Sequence, residues 1–346
     1  MPITRRRLLA VAASLSPAWV GCVRERALAV RRIRVSASRQ LTMCSLYLAQ
    51  ELGYFRQAGL NVEIQDRGER AQLLPLMIGG EVDVAFLTLN PSFINAVGRG
   101  APVRIVAGRE MASPDCGDIG EILGRRQCFR RGFADLRELR GKRVAYGNLG
   151  SFTEFCLETQ LSAVGLKREE LTAISLRRNE AVTALAGGKI DALVAQVGLD
   201  NDLAVILPEI VRSSGLASIF PSFQYSFILF GKRLLEGDPA DGGAFLVAYL
   251  RGARDFLKGK TPAFLEEFAR SMRLDADRAR RACRNTFTPD GQVDLESLRR
   301  YVAWAVQRGY CPGAVDPAQL VDSRFLAEAR RQEQWSGRWL SATGAP

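Results

Sequence analysis

The sequence predicts an α/β protein of two similar lobes, each an open, mostly parallel sheet flanked by helices. Three observations predict it. The first is one strand–helix–strand unit near the start. Ile33–Ser38 alternates apolar and polar residues, Tyr47, Leu48, Leu52 and Phe55 share one side of a 3.6-residue period, and Leu60–Ile64 alternates again. Gly59 stands where a left-handed helix stop is needed, a conformation glycine adopts without steric cost. The second observation is a repeat: Gln72–Ala85 and Asn179–Ala192 both read as helix, glycine, two residues, aspartate, strand. The third is size, because 346 residues exceed what one hydrophobic core usually supports.

Taken in order, the first lobe opens with strand Ile33–Ser38, helix Thr42–Ala58, strand Leu60–Gln65 and helix Glu69–Ile78. Strand Val82–Leu87, helix Pro91–Val97 and strand Val103–Ala107 follow, a continuing alternation that makes a parallel sheet. Met111–Gly132 carries neither period and reads as an irregular crossing segment. The second lobe runs through strand Arg143–Gly147, helix Phe152–Val164, strand Leu171–Leu176, helix Glu180–Ala186 and strand Ile190–Ala195. Phe223–Phe230 reads as a buried strand bringing the chain back, and helices Phe245–Leu257, Pro262–Met272, Ala276–Arg284 and Leu295–Arg308 complete the first lobe. The expected division is residues 33–110 plus 230–330 for lobe I, 111–229 for lobe II, and a tail from 331 to 346.

Composition narrows the function. With 47% apolar and 25% charged residues the chain can bury sizeable cores. The formal net charge of +11 comes from scattered rather than striped Lys and Arg, and no nucleic-acid-binding signature accompanies it. Nucleic acid is therefore not an expected partner; an anionic ligand or membrane surface, or simple solvation, accounts for the charge. The chain has no His, which excludes a His-assisted Ser or Cys nucleophile, and it lacks GxSxG, P-loop and dinucleotide fingerprints. With no C-x-x-C and no His a zinc site is not expected, and the missing nucleotide fingerprints leave no cofactor expected. Asp83 and Asp191 occupy equivalent places in the repeat and read as turn and cap residues, not as an acid–base pair.

The first 29 residues are set apart as an export signal. Thr4–Ala10 resembles a twin-arginine motif, and Leu8–Val20 is an apolar segment too short to span a bilayer. Gly21-Cys22 resembles the end of a lipobox, with lipid on Cys22; Ala27-Leu-Ala29 offers an alternative cleavage site. Export permits disulfides. Among the seven Cys, Cys116 with Cys128 across a polar loop is the preferred pair, and Cys283 with Cys311 the next.

Four segments in register carry a family resemblance. Tyr47–Val62 reads Tyr-x-Ala-x-x-x-Gly-Tyr-Phe-x-x-x-Gly-Leu-x-Val; Leu76–Ala85, Gly100–Ala107 and Asp135–Ala145 follow. Together they resemble the substrate-binding proteins of ABC importers, in the sulfonate, nitrate and taurine group related to the NMT1/THI5-like, thiamine-pyrimidine proteins. The resemblance implies a type II periplasmic-binding-protein fold, a monomer in the periplasm, possible lipid anchoring, and an inner-membrane ABC permease as partner. It implies capture of a small anionic or polar organic molecule by hinge closure. The strands that cross between the lobes put the expected hinge near Arg109–Glu110 and Phe227–Phe230. The chain is accordingly expected to be a binding protein and not an enzyme. The alternative is a thiamine-pyrimidine synthase of the same fold, which the resemblance ties to an active-site His and a Cys-rich motif that this sequence lacks.

In open α/β sheets ligands lie beyond the carboxyl ends of the strands, here in the cleft between lobes. That rule nominates Ser38, Arg39 and Thr42 after the first strand, and Leu89 and Asn90 after the third. In the second lobe it nominates Gly150, Ser151, Phe152 and Thr153, and then Gln196. Ser151 either contacts an anion at a helix N-terminus or caps that helix in a box with Glu154. Thr42 and Asn90 carry the same double reading. Phe223 and Tyr225 belong either to the cleft or to the core.

Overall fold

The computed structural model describes residues 31–67, 73–112, 119–129, 131–133, 135–195, 209–259, 262–271, 287–313 and 315–335. Export segment 1–29, Cys22, Cys116, Gln196, Cys283 and the expected helix Ala276–Arg284 lie outside the described residues.

Two five-stranded sheets form the frame. The first holds β1 (Arg31–Ser36), β2 (Leu60–Gln65), β3 (Val84–Thr88), β4 (Arg104–Met111) and β10 (Gln224–Phe230), in the order β2-β1-β3-β10-β4. The second holds β5 (Ile122–Arg125), β6 (Arg143–Tyr146), β7 (Thr172–Ser175), β8 (Ala192–Val194) and β9 (Ile210–Arg212), in the order β7-β6-β8-β5-β9. The two orders are equivalent: three parallel strands, then an antiparallel one, then an edge strand. Four strands of each sheet thus run one way, and helices cover the faces.

Several local readings change. Helix Thr42–Ala58 is a 3-10 turn Leu41–Met43 followed by Cys44–Glu51 and Tyr54–Gln57, broken at Gly53, whose φ is 69°; Gly59, at 71°, ends the unit as expected. The segment read as irregular contains β5, a four-residue strand that stands outside the strand–helix alternation. β10 is the strand expected at Phe223–Phe230 and lies between β3 and β4, so the first sheet resumes at Gln224 and the division drawn at residue 230 comes too late. The tail expected from 331 is helical as far as Trp335.

The repeated aspartates are anchored by arginines, one on the first parallel strand of each sheet, and not by turn N–H groups. Asp83, fully buried, accepts from the Arg34 backbone N (2.7 Å), Nε (3.1 Å) and Nη2 (2.9 Å), and from Arg233 Nε and Nη2, both at 2.8 Å. Arg34 Nη2 also donates to the Gly80 carbonyl. The second sheet repeats the arrangement: Asp191 accepts from the Arg143 backbone N, Nε and Nη2, and Arg143 Nη2 reaches the Gly188 carbonyl at 2.9 Å. Burial alone would raise the Asp83 carboxyl, but the hydrogen bonds from Arg233 and Arg34 outweigh it and hold it below its ordinary range. At Asp191 the Arg143 hydrogen bond dominates and lowers the carboxyl likewise. Each clamp ties a first parallel strand to the turn entering the third, at the sheet edge opposite the strands' carboxyl ends.

The two sheets share one apolar cluster. Phe93, Val103 and Ile105 of the first half join Val144, Phe152 and Phe155 of the second, with Leu298 and Tyr301 of the helix Leu295–Gln307.

Candidate functional site

Both sheets turn the carboxyl ends of their parallel strands toward one cavity of about 320 Å³. From the first sheet it is lined by Gln40, Thr42 and Met43 after β1, by Phe86–Asn90 at the end of β3, and by Arg109 and Glu110 of β4. From the second come Ile119, Ser151–Thr153 after β6 and Arg178 after β7; Tyr225 and Ser226 of β10 close the floor. The structure thus brings together Thr42, Leu89, Asn90, Ser151, Phe152 and Thr153 from the nominated set.

Ser38, Arg39 and Gly150 do not line the cavity. The Arg39 guanidinium lies over the adjoining rings of Tyr47 (5.2 Å) and Phe268 (5.0 Å), and its Nε donates to Ser271 Oγ at 2.8 Å. Those contacts hold the side chain on the surface of the first half. Gly150 shapes the rim instead. Its φ is 72°, and a Cβ there would lie 2.5 Å from Pro91 Cγ, so a side chain would push the two halves apart. Phe223 is buried in the aromatic cluster; Tyr225, equally buried, reaches the cavity.

Two of the helices that start at the cavity are capped. Asn90 Oδ1 accepts from Phe93 N at 3.1 Å, with Pro91 in the first turn, while its amide nitrogen donates to the Thr88 carbonyl. Ser151 Oγ accepts from Glu154 N at 3.4 Å and sits 2.9 Å from Thr153 Oγ1, which in turn accepts from Gly147 N at 2.9 Å. The expected capping box is shifted by one residue: Glu154 Oε2 accepts from Gly150 N at 2.7 Å, not from Ser151. Glu154 is fully buried and also binds Arg168 Nη1 at 2.7 Å and Tyr310 OH at 3.0 Å. Tyr301 OH donates to the Gly150 carbonyl. The loop that presents Ser151 and Thr153 is therefore gripped from behind by residues far away in sequence.

The charged floor was not read from the sequence as part of the site. Arg109 and Glu110, 4% and 3% exposed, form an ion pair through Nη2 and Oε2. Arg109 Nη2 also donates to the Thr42 carbonyl at 3.2 Å, and the guanidinium lies 5.4 Å from the centre of the Phe86 ring. Arg109 Nε is buried with no hydrogen-bond partner among the described groups. Burial pushes the Glu110 carboxyl up, against the opposing pull of Arg109 and Ser226. Both residues had been read as hinge positions. The other expected hinge, Phe227–Phe230, pairs with β3 on one side and β4 on the other, which leaves no freedom for rotation.

Cys128 is a free thiol whose Sγ lies 3.6 Å from Asp191 Oδ1; Cys311 is also free and buried. Among the described residues no three His, Cys, Asp or Glu side chains are placed to hold a metal ion.

The model of the family described as NMT1/THI5 like matches residues 40–259. The chain belongs to that family. Among curated relatives, the 4-amino-5-hydroxymethyl-2-methylpyrimidine phosphate synthase of Aspergillus parasiticus is 27% identical over 241 residues. The match covers 64% of this chain and 65% of the relative, so the chain spans less than two thirds of that protein. Among solved structures, the periplasmic aliphatic sulphonate binding protein of Escherichia coli superposes with a TM-score of 0.68 at 17% identity, covering 84% of this chain and 92% of that one. The periplasmic nitrate-binding protein of Synechocystis PCC 6803 gives 0.67 at 12% identity, covering 88% and 89%. These likenesses give this NMT1/THI5-like protein the periplasmic-binding-protein fold. The synthase relative overturns the expectation that the chain is not an enzyme. Absence of His excludes one class of proton carrier; Glu, Tyr and Cys side chains remain available to a family member.

Proposed function

We propose that this chain is an extracytoplasmic solute-binding protein of an ABC importer, capturing a small polar organic molecule between its two sheets and presenting it to a membrane permease. The observation that carries the reading is the cavity itself, lined from both sheets at the carboxyl ends of their strands. A ligand touching Asn90 on one side and Ser151 or Thr153 on the other makes contacts available only when the halves are closed, and that differential affinity drives closure. The chain passes between the sheets at Ala112 and Phe223, joined by an N–H to carbonyl bond of 2.7 Å, and rotation about this pair is the proposed hinge.

A second reading has its own support. The synthase name of the Aspergillus relative favours an enzyme that forms a thiamine-type pyrimidine phosphate in the same cavity. Turnover separates the two: a synthase consumes its substrate, and a receptor returns its ligand unchanged.

The experiment is a thermal-shift screen of small anions and heterocycles, with the pyrimidine 4-amino-5-hydroxymethyl-2-methylpyrimidine included. A cleft ligand at 100 Kd should raise stability by about 2.7 kcal/mol. Calorimetric titration of Ser151→Ala then checks the contact. The apo protein should lose at most about 1 kcal/mol, since the cap is long, while affinity falls roughly tenfold. Unchanged affinity would mean that Ser151 only caps its helix.

A further inference from the structure

We infer that Glu110 is the charge-selecting residue of this cavity. By holding Arg109 in an internal ion pair it closes the floor to simple anions and leaves it to neutral planar solutes. The inference rests on the proposed cleft site and names the class of solute that site takes.

Without Glu110 the cavity would be an anion site. The helices Pro91–Gly98, Phe152–Ala163 and Arg178–Ala186 all begin at its wall, and their N-termini carry partial positive charge. Arg109 and Arg178 add two cations. Three features of the structure oppose that bias. The Arg109 charge is consumed within the protein by Glu110. Asn90 and Ser151 already occupy N–H donors at two of the helix starts. Arg178 is itself engaged in an interaction. A sulfonate or nitrate entering the floor would have to displace a carboxylate already paired with Arg109, and it would face that carboxylate at short range in a site shielded from water. A neutral planar solute meets no such repulsion. It can stack on Phe86, Phe152 or Tyr225, which line the cavity.

The test is calorimetric titration of wild type and Glu110→Gln with two probes, ethanesulfonate and 4-amino-5-hydroxymethyl-2-methylpyrimidine. Gln keeps the shape and a hydrogen bond to Arg109 but removes the negative charge. Glu110→Gln should bind ethanesulfonate at least tenfold more tightly than wild type does, and the pyrimidine no more tightly. Equal sulfonate affinity in the two proteins, or none in either, overturns the inference. Should Glu110→Gln fail to fold, wild type alone decides: submillimolar binding of ethanesulfonate overturns the inference, and its absence beside binding of the pyrimidine supports it. Thr88→Trp, which fills the cavity, separates this outcome from failure of the site. Binding that survives Thr88→Trp lies elsewhere and counts against the cleft, whereas sulfonate binding by wild type that Thr88→Trp abolishes counts against Glu110 selectivity alone.

Discussion

Asp83→Asn should cost about 3 kcal/mol of stability, near the lower end of the usual loss when one partner of a buried ion pair is removed. The carboxylate is fully buried and accepts from two arginines, but the Arg34 and Arg233 side chains are 25% and 43% exposed, so water relieves part of the orphaned charge. In a chain of this size that loss lowers the melting midpoint by roughly 5 °C or more. The effect has a pH signature. The folded carboxyl is held below the ordinary 3.8, so its contribution is present above that value and fades as pH falls through the folded pKa. The difference between wild type and Asp83→Asn should therefore be full at neutral pH and shrink in acid below about pH 4. Melting curves of both proteins across that range check the claim, and a difference independent of pH would show that packing, not the ion pair, carries the loss.

Glu154→Ala should be comparably damaging and should also reach the cavity. The substitution strips partners from Gly150 N, Arg168 and Tyr310 at once. Arg168 keeps other bonds, to Glu158 at 3.0 Å and to Tyr146 OH at 2.7 Å, so the charge is not stranded altogether. A loss of about 3 kcal/mol is expected, the buried Gly150 N–H being left without its acceptor. Because Gly150 leads directly into Ser151, the cleft loop loosens as well. Amide exchange at residues 150–153 should accelerate, and ligand affinity should fall by more than in Ser151→Ala. Faster exchange spread over the whole second sheet, with affinity unchanged, would mean that Glu154 supports the fold and does not position the loop.

Much of the frame was readable from periodicity. The strand–helix–strand unit at 33–64 and the duplicated helix-glycine-aspartate-strand device fall where the two sheets are built, because alternation and the 3.6-residue stripe are local properties. β5 and β9, of four and three residues, were not read because they stand outside the strand–helix alternation that marked the equally short β6, β7 and β8. The nominated residues that line the cavity were reachable by one rule, that ligands gather at the carboxyl ends of parallel strands. The floor was not. Arg109 and Glu110 extend an apolar strand that seemed to end at Ala107, and a pair of adjacent charges gives no sign that both are buried. Arg39 misled for the opposite reason: its partners Phe268 and Ser271 lie more than two hundred residues away, and only tertiary structure brings them together.

The proposed function stands on one solute site between the two sheets. Its most direct measurement is calorimetric titration of the best compound from the thermal-shift screen into wild type and Thr88→Trp. Thr88 is exposed to the cavity at the end of β3, and its backbone carbonyl, which accepts from the Asn90 amide, is unaffected by substitution. Trp therefore fills the space without dismantling the wall. Thr88→Trp should fold with a near-native melting midpoint and lose binding by at least a hundredfold. Retention of wild-type affinity in Thr88→Trp would contradict a solute site between the sheets.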